Sequence, residues 1–179
     1  MRLSASIAIT LLLVVALPIG AANGAQKGKI GIPAPLASEH AALHDTLVRA
    51  IGAGGKTGEA AQKLADVLHP HFVKEEAYAL PQLGLLRTLA EGGTIAEAET
   101  AIKTSEKLKA EMARMLEEHE AIVEALESLS SAAEAEGKKE YVEFAAELKQ
   151  HALVEEEIYY PAAILIGEYL KLKMKTTGK

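Results

Sequence analysis

Between residues 108 and 129, the side chains Leu108, Met112, Met115, His119, Ile122, Leu126 and Leu129 follow alternating steps of four and three. That period belongs to the inward seam of a bundle helix and does not suit a strand, whose side chains change face at every residue. A histidine holds one of these inward positions. The same spacing recurs upstream in Ala61, Leu64, Leu68, His71, Glu75 and Tyr78, and downstream in Leu148, His151, Glu155, Ile158 and Ala162. A fourth stretch places Leu36, His40, Leu43 and Leu47 on or near one face, with His44 one turn after His40. Only seven of the 179 residues are aromatic, five Tyr and two Phe, while Ala, Leu, Glu and Lys are plentiful, which favours helix over sheet. The chain has the length of about one domain, and an all-α fold is predicted.

The punctuation divides the chain into four main helices. The first covers 36–51 and stops at Gly52, Gly54 and Gly55. Thr57 is expected to cap the second, which runs to about Ala79 with a kink at Pro70 and an end or bend at Pro81. Gln82 to Gly93 reads as a short helical connection. Thr94-Ile95-Ala96-Glu97 reads as a capping box opening a helix to about Glu136, and Thr104-Ser105 is where that helix would break if it breaks. Gly137 stops it. A fourth helix runs from about Lys139 to Tyr160, passes Pro161 and ends in a tail carrying Lys171, Lys173 and Lys175. The domain plan is a bundle over 36–173 with a basic tail at 174–179, preceded by a linker at 26–35.

Residues 1–25 read as a secretory signal peptide. Arg2 precedes an apolar run from Ala5 to Leu17, and small residues follow, with cleavage expected after Ala22, Gly24 or Ala25. The run is short of the roughly 20 residues that cross a bilayer, the alternative being an uncleaved anchor. The mature chain is therefore expected to be periplasmic or secreted, with no membrane span after cleavage. A net charge of −6 without clustered Lys and Arg opposes nucleic-acid binding. The absence of Cys excludes disulfides, thiolate metal sites and a cysteine nucleophile.

The two halves repeat. Glu39-His40 is followed by Leu43 and Leu47 at the offsets at which Ile122 and Leu126 follow Glu118-His119. His71 is followed by Glu75 and Pro81, as His151 is by Glu155 and Pro161. Two helical hairpins presenting the same groups make an up-down-up-down four-helix bundle with pseudo-twofold symmetry. Carboxylates on core seams are costly unless paired or bound to metal, and no Lys or Arg lies on these seams. His and Glu four residues apart stand about 6 Å apart along one helix face and can share an ion. Nitrogen and oxygen donors without sulfur suit iron, manganese or zinc. A lone core histidine is usually only a satisfied packing residue. Two matched His-Glu pairs with two further matched histidines make metal binding the better reading.

The set His40, His71-x-x-x-Glu75, His119, His151-x-x-x-Glu155 resembles the hemerythrin-like family, the HHE cation-binding domains, over about residues 36–170. The resemblance implies a non-haem di-iron centre. His71 and His151 would be ligands from the second and fourth helices, Glu75 and Glu155 would bridge the irons, and His40 and His119 would each complete one set. Dioxygen-carrying members have an i, i+4 His pair on the third helix, whereas here His119 has Met115 and Val123 at those positions and the pair is His40/His44 on the first. Because a one-turn pair can converge on one ion, His44 is counted among the ligands, the alternative being a core histidine that leaves both irons with five ligands. With His40, His44 and His71 on one iron, that iron would be closed, and the iron held by His119 and His151 would keep an open position.

His69 is expected to face solvent. Glu76, Glu156 and Glu157 read as outer-face charges, with Glu76 and Glu156 available as acceptors behind the ligands. Tyr78, Tyr159, Met112 and Met115 read as packing residues. The functional expectation is a carrier, sensor or scavenger of dioxygen or a related small ligand. The competing classes are a di-iron enzyme acting on peroxide, nitric oxide or ferrous iron, and a helical interaction module without metal.

Overall fold

The computed structural model describes residues 27–177, so the proposed signal peptide lies outside the described residues. The elements run β1 (Lys27–Gly28), α1 (Ala34–Gly52), α2 (Gly55–Lys74), a π-helical turn at Glu75–Ala79, a 3-10 turn at Pro81–Leu85, α3 (Leu86–Ala90), β2 (Thr94–Ile95), α4 (Ala98–Ala135), α5 (Lys139–Val154), a second π turn at Glu155–Tyr159, and α6 (Tyr160–Thr177). α1 and α2 form one hairpin and α4 and α5 the other. α2 packs against α4 and α1 against α5, closing an all-α four-helix bundle. Among the described residues, no helix is long and apolar enough to cross a membrane.

The seams read from the sequence are the faces that the first three main helices bury. Leu36, Leu43 and Leu47 of α1, Leu64 and Leu68 of α2, and Leu108, Met115, Ile122, Leu126 and Leu129 of α4 are all buried. They form two apolar clusters. One holds Leu43, Leu47, Leu64, Leu68, Ile122, Leu126, Phe144 and Leu148, and the other holds Leu36, Tyr78, Leu83, Leu108, Met115, Tyr160 and Ile166. His40, His71, Glu75, His119, His151 and Glu155 are buried as well, a polar set carried on the same seams.

Each π turn begins at a seam glutamate and ends just before the repeated proline. The Leu80 N–H reaches back five residues to the Glu75 carbonyl at 2.9 Å, and Tyr160 makes the same bond to Glu155. Proline has no N–H and its ring crowds the preceding turn, so the four-residue ladder gives way to a wider loop. The extra residue shifts the seam of the last helix by one position. Ile158, expected inward, is 57% exposed, and Ala162 is only half-buried, whereas Tyr160, Ala163, Ile166 and Leu170 are buried.

Other local expectations are corrected by long-range partners. Thr94-Ile95 does not cap α4 but pairs in parallel with Lys27–Gly28, and Glu97 accepts the Ile30 N–H at 3.2 Å. Thr57 does not cap its own helix. The Glu136 carboxylate beyond the end of α4 accepts from the Lys56 N–H at 2.8 Å and the Thr57 hydroxyl at 2.7 Å, taking up donors at the start of α2. α4 is unbroken at Thr104-Ser105, because the Ser105 hydroxyl donates to the Ala163 carbonyl at 2.7 Å where α4 and α6 meet. A side chain at Gly167 would collide with Ser105 at that crossing. Pro70 sits inside α2, and Gly137, at φ +69°, turns the chain from α4 into α5. α6 stays helical through Thr177, so the segment read as a basic tail begins in helix.

Candidate metal centre

The four buried imidazoles meet in two pairs. His71 Nε2 lies 2.8 Å from His119 Nε2, and His40 Nε2 lies 3.1 Å from His151 Nε2. Each pair joins one hairpin to the other. This corrects the expected grouping of His40 with His71, because the antiparallel contacts of α2 with α4 and α1 with α5 decide which imidazoles meet. The carboxylates lie between the pairs. Glu155 turns Oε1 toward His151 and His40, at 3.0 and 3.3 Å, and Oε2 toward His119 at 3.6 Å. Glu75 turns Oε1 toward His71 at 3.4 Å and Oε2 toward His40 at 4.0 Å.

The structure thus collects His71, Glu75, His119 and Glu155 in one potential ion-binding group, and His40, His151 and again Glu155 in a second. Glu75 Oε2 is buried and has no hydrogen-bond partner, a lone pair that a cation would satisfy. The residues present fit a metal. Three of the four imidazoles also have their outer nitrogen held by a carboxylate: His71 Nδ1 by Glu118 at 3.1 Å, His119 Nδ1 by Glu156 at 2.8 Å, and His151 Nδ1 by Glu39 at 3.1 Å. Such bonds orient each ring so that Nε2 faces the site, and in the neutral imidazole they favour the tautomer whose Nε2 can bind a metal. Glu118 is itself anchored by Lys74 and Arg114. His40 differs: its Nδ1 has no hydrogen-bond partner, and its ring stacks on Phe72 with centroids 4.5 Å apart.

His44 is not brought to this cluster. Its side chain is 59% exposed, with Asp45 at 3.9 Å. Leu43 and Leu47 hold the inward positions that follow His40, leaving His44 on the outer flank. His69 is exposed, as expected. Of the two outer acids offered as supporting acceptors, Glu156 fills that role at His119 and Glu76 stays exposed. Sequence reasoning missed three supporting residues: Glu39, Glu118 and Tyr160. The repeated Glu-His dipeptide was the available signal for the first two. Tyr160 becomes inward-facing only through the π turn, and its hydroxyl donates to Glu75 Oε1 at 2.5 Å.

The electrostatics are set by buried carboxylates facing buried imidazoles. Burial works against a proton on His151, but the Glu155 and Glu39 carboxylates outweigh it and lift the imidazole to about 9. Burial alone would raise Glu155, yet His151 and His40 hold it down at about 2. Glu75 is driven upward by burial and by the negative charge of Glu155. At neutral pH His151 therefore carries a proton that a metal must displace. Loading at pH 7 is expected to release about one proton or more per chain, measured with an indicator dye in weak buffer, and affinity should fall as the solution is acidified. Loading with no proton release would contradict this charge pattern.

A helical bundle whose core gathers a histidine from each of four helices and a carboxylate from each of two π turns belongs to the class of carboxylate-histidine metal-binding folds. The chain matches the hemerythrin HHE cation binding domain over residues 34–163, and it belongs to that family. No curated protein and no solved structure matches it.

Proposed function

We propose that this chain is an exported protein that holds two carboxylate-bridged non-haem iron ions and uses them to bind dioxygen or a related small ligand, as a carrier, sensor or scavenger. The observation that carries this reading is the placement of Glu75 and Glu155, each of which turns one oxygen toward each imidazole pair. A carboxylate spanning two donor sets is the arrangement that two neighbouring cations need. The nitrogen and oxygen donor set suits iron, manganese or zinc, and iron is chosen on the resemblance to the hemerythrin family. When bound, the ions would supply an open coordination position to an exogenous ligand.

The chain's own residues supply positioning and access. Glu39, Glu118 and Glu156 orient the imidazoles, and the two apolar clusters limit water around them. A groove of about 600 Å³ lined by Glu39, Leu43, Val154 and Tyr159 has His151 in its wall, on the His40/His151 side of the cluster. Export rests on Arg2, the apolar run that follows it and the small residues up to Ala25.

The protein produced with iron is expected to contain about two metal ions per chain, by elemental analysis of aerobic and anaerobic preparations. Less than about half an equivalent of any transition metal would defeat the reading. Reversible oxygenation spectra, measured beside peroxide turnover, separate a carrier from an enzyme.

A further inference from the structure

The geometry points to Tyr160 as a further ligand, its phenol oxygen binding, as phenolate, the ion held by His71, Glu75, His119 and Glu155. This inference rests on the metal reading above and adds a donor to it. Tyr160 is fully buried, and its Oη lies 2.5 Å from Glu75 Oε1, 3.3 Å from His119 Nε2 and 3.4 Å from His71 Nε2. These are the atoms that three ligands present to one ion. An oxygen so close to all three is within reach of the point on which they converge. Packing also holds it there, since the Tyr160 ring lies nearly parallel to that of His119 with centroids 5.7 Å apart.

The chemistry suits the position. Phenolate is a hard anionic oxygen donor that matches ferric iron. On binding, the phenol O–H bond breaks, an oxygen–metal bond forms with no change of oxidation state, and the proton leaves to solvent. The other half of the repeat has no counterpart. Leu80 occupies the equivalent place before Pro81 and is likewise fully buried. The two ions would therefore be unlike, one enclosed by five side chains and the other, beside the α1–α5 groove, held by His40, His151 and Glu155 with the far oxygen of Glu75 turned toward it. Exogenous ligands would bind at the second.

The test is visible absorption and resonance Raman spectroscopy of the ferric protein. The wild type should show a phenolate-to-iron charge-transfer band, with phenolate vibrations enhanced on excitation within it. Tyr160→Phe, which removes one oxygen and keeps the ring, should retain most of the iron and lose both signals, whereas Tyr159→Phe and Tyr78→Phe should keep them. Iron bound without the band in the wild type, or with the band intact in Tyr160→Phe, overturns the assignment while leaving the metal reading standing. A protein that binds no iron overturns both. The Raman measurement on the wild type is decisive even if the variant folds poorly.

Discussion

Glu155→Ala is expected to abolish stable metal binding at both ends of the cluster, because Glu155 belongs to both groups of potential ligands and approaches three imidazoles more closely than Glu75 does. Its oxygens lie within 3.6 Å of His40, His119 and His151, so truncation withdraws negative charge from three imidazoles at once. Removing a residue that merely supports a ligand costs about 10–100-fold in affinity, and loss of a shared ligand should exceed the upper end of that range. Two outward-facing variants are the controls. Glu76→Ala and His44→Leu should keep wild-type metal content, since both side chains are exposed. Equal metal loss in all three proteins, measured by competition with a chelator of known affinity, would contradict the inward assignment of Glu155.

The second large effect concerns the fold itself. Without a cation, two buried carboxylates share the core with four imidazoles, and Glu75 Oε2 has no partner. Binding to the native state alone contributes about 4 kcal/mol for each site at a free metal concentration a thousandfold above Kd. In a chain of this size, 1 kcal/mol moves Tm by about 2–4 °C. With two ions bound as proposed, their removal is therefore expected to lower Tm by more than about 10 °C, read by circular dichroism before and after chelation and again after reloading. An unchanged Tm after complete removal would show that the polar cluster is stable on its own.

Much of this architecture is legible in the sequence, because a helix writes its buried face into a regular period. His40, His71, Glu75, His119, His151 and Glu155 stand out as polar residues at positions where the neighbouring periods are apolar. His44 misleads for a local reason. An i, i+4 histidine pair has chelating spacing in isolation, but Leu43 already occupies the inward position next to His40. Tyr160 is hidden for a different reason. Regular counting assumes 3.6 residues per turn, and the π turn before Pro161 adds a residue that carries Tyr160 inward and Ile158 outward. The imidazole pairing is not written in spacing at all, since it depends on which antiparallel helices meet. Nor are the partners that claim Thr57, Thr94 and Ser105, which lie tens of residues away along the chain.

The outer-nitrogen bonds have a consequence for how the two halves of the chain cohere. Glu39 of the first hairpin orients His151 of the second, and Glu118 of the second orients His71 of the first. Each imidazole pair likewise takes one ring from each hairpin. Neither hairpin owns a complete coordination set, so bound ions would tie together two hairpins that already share both apolar clusters. Parting the hairpins would separate both imidazole pairs and would also open those shared clusters, so ions held between the pairs would leave only at the cost of exposing apolar core.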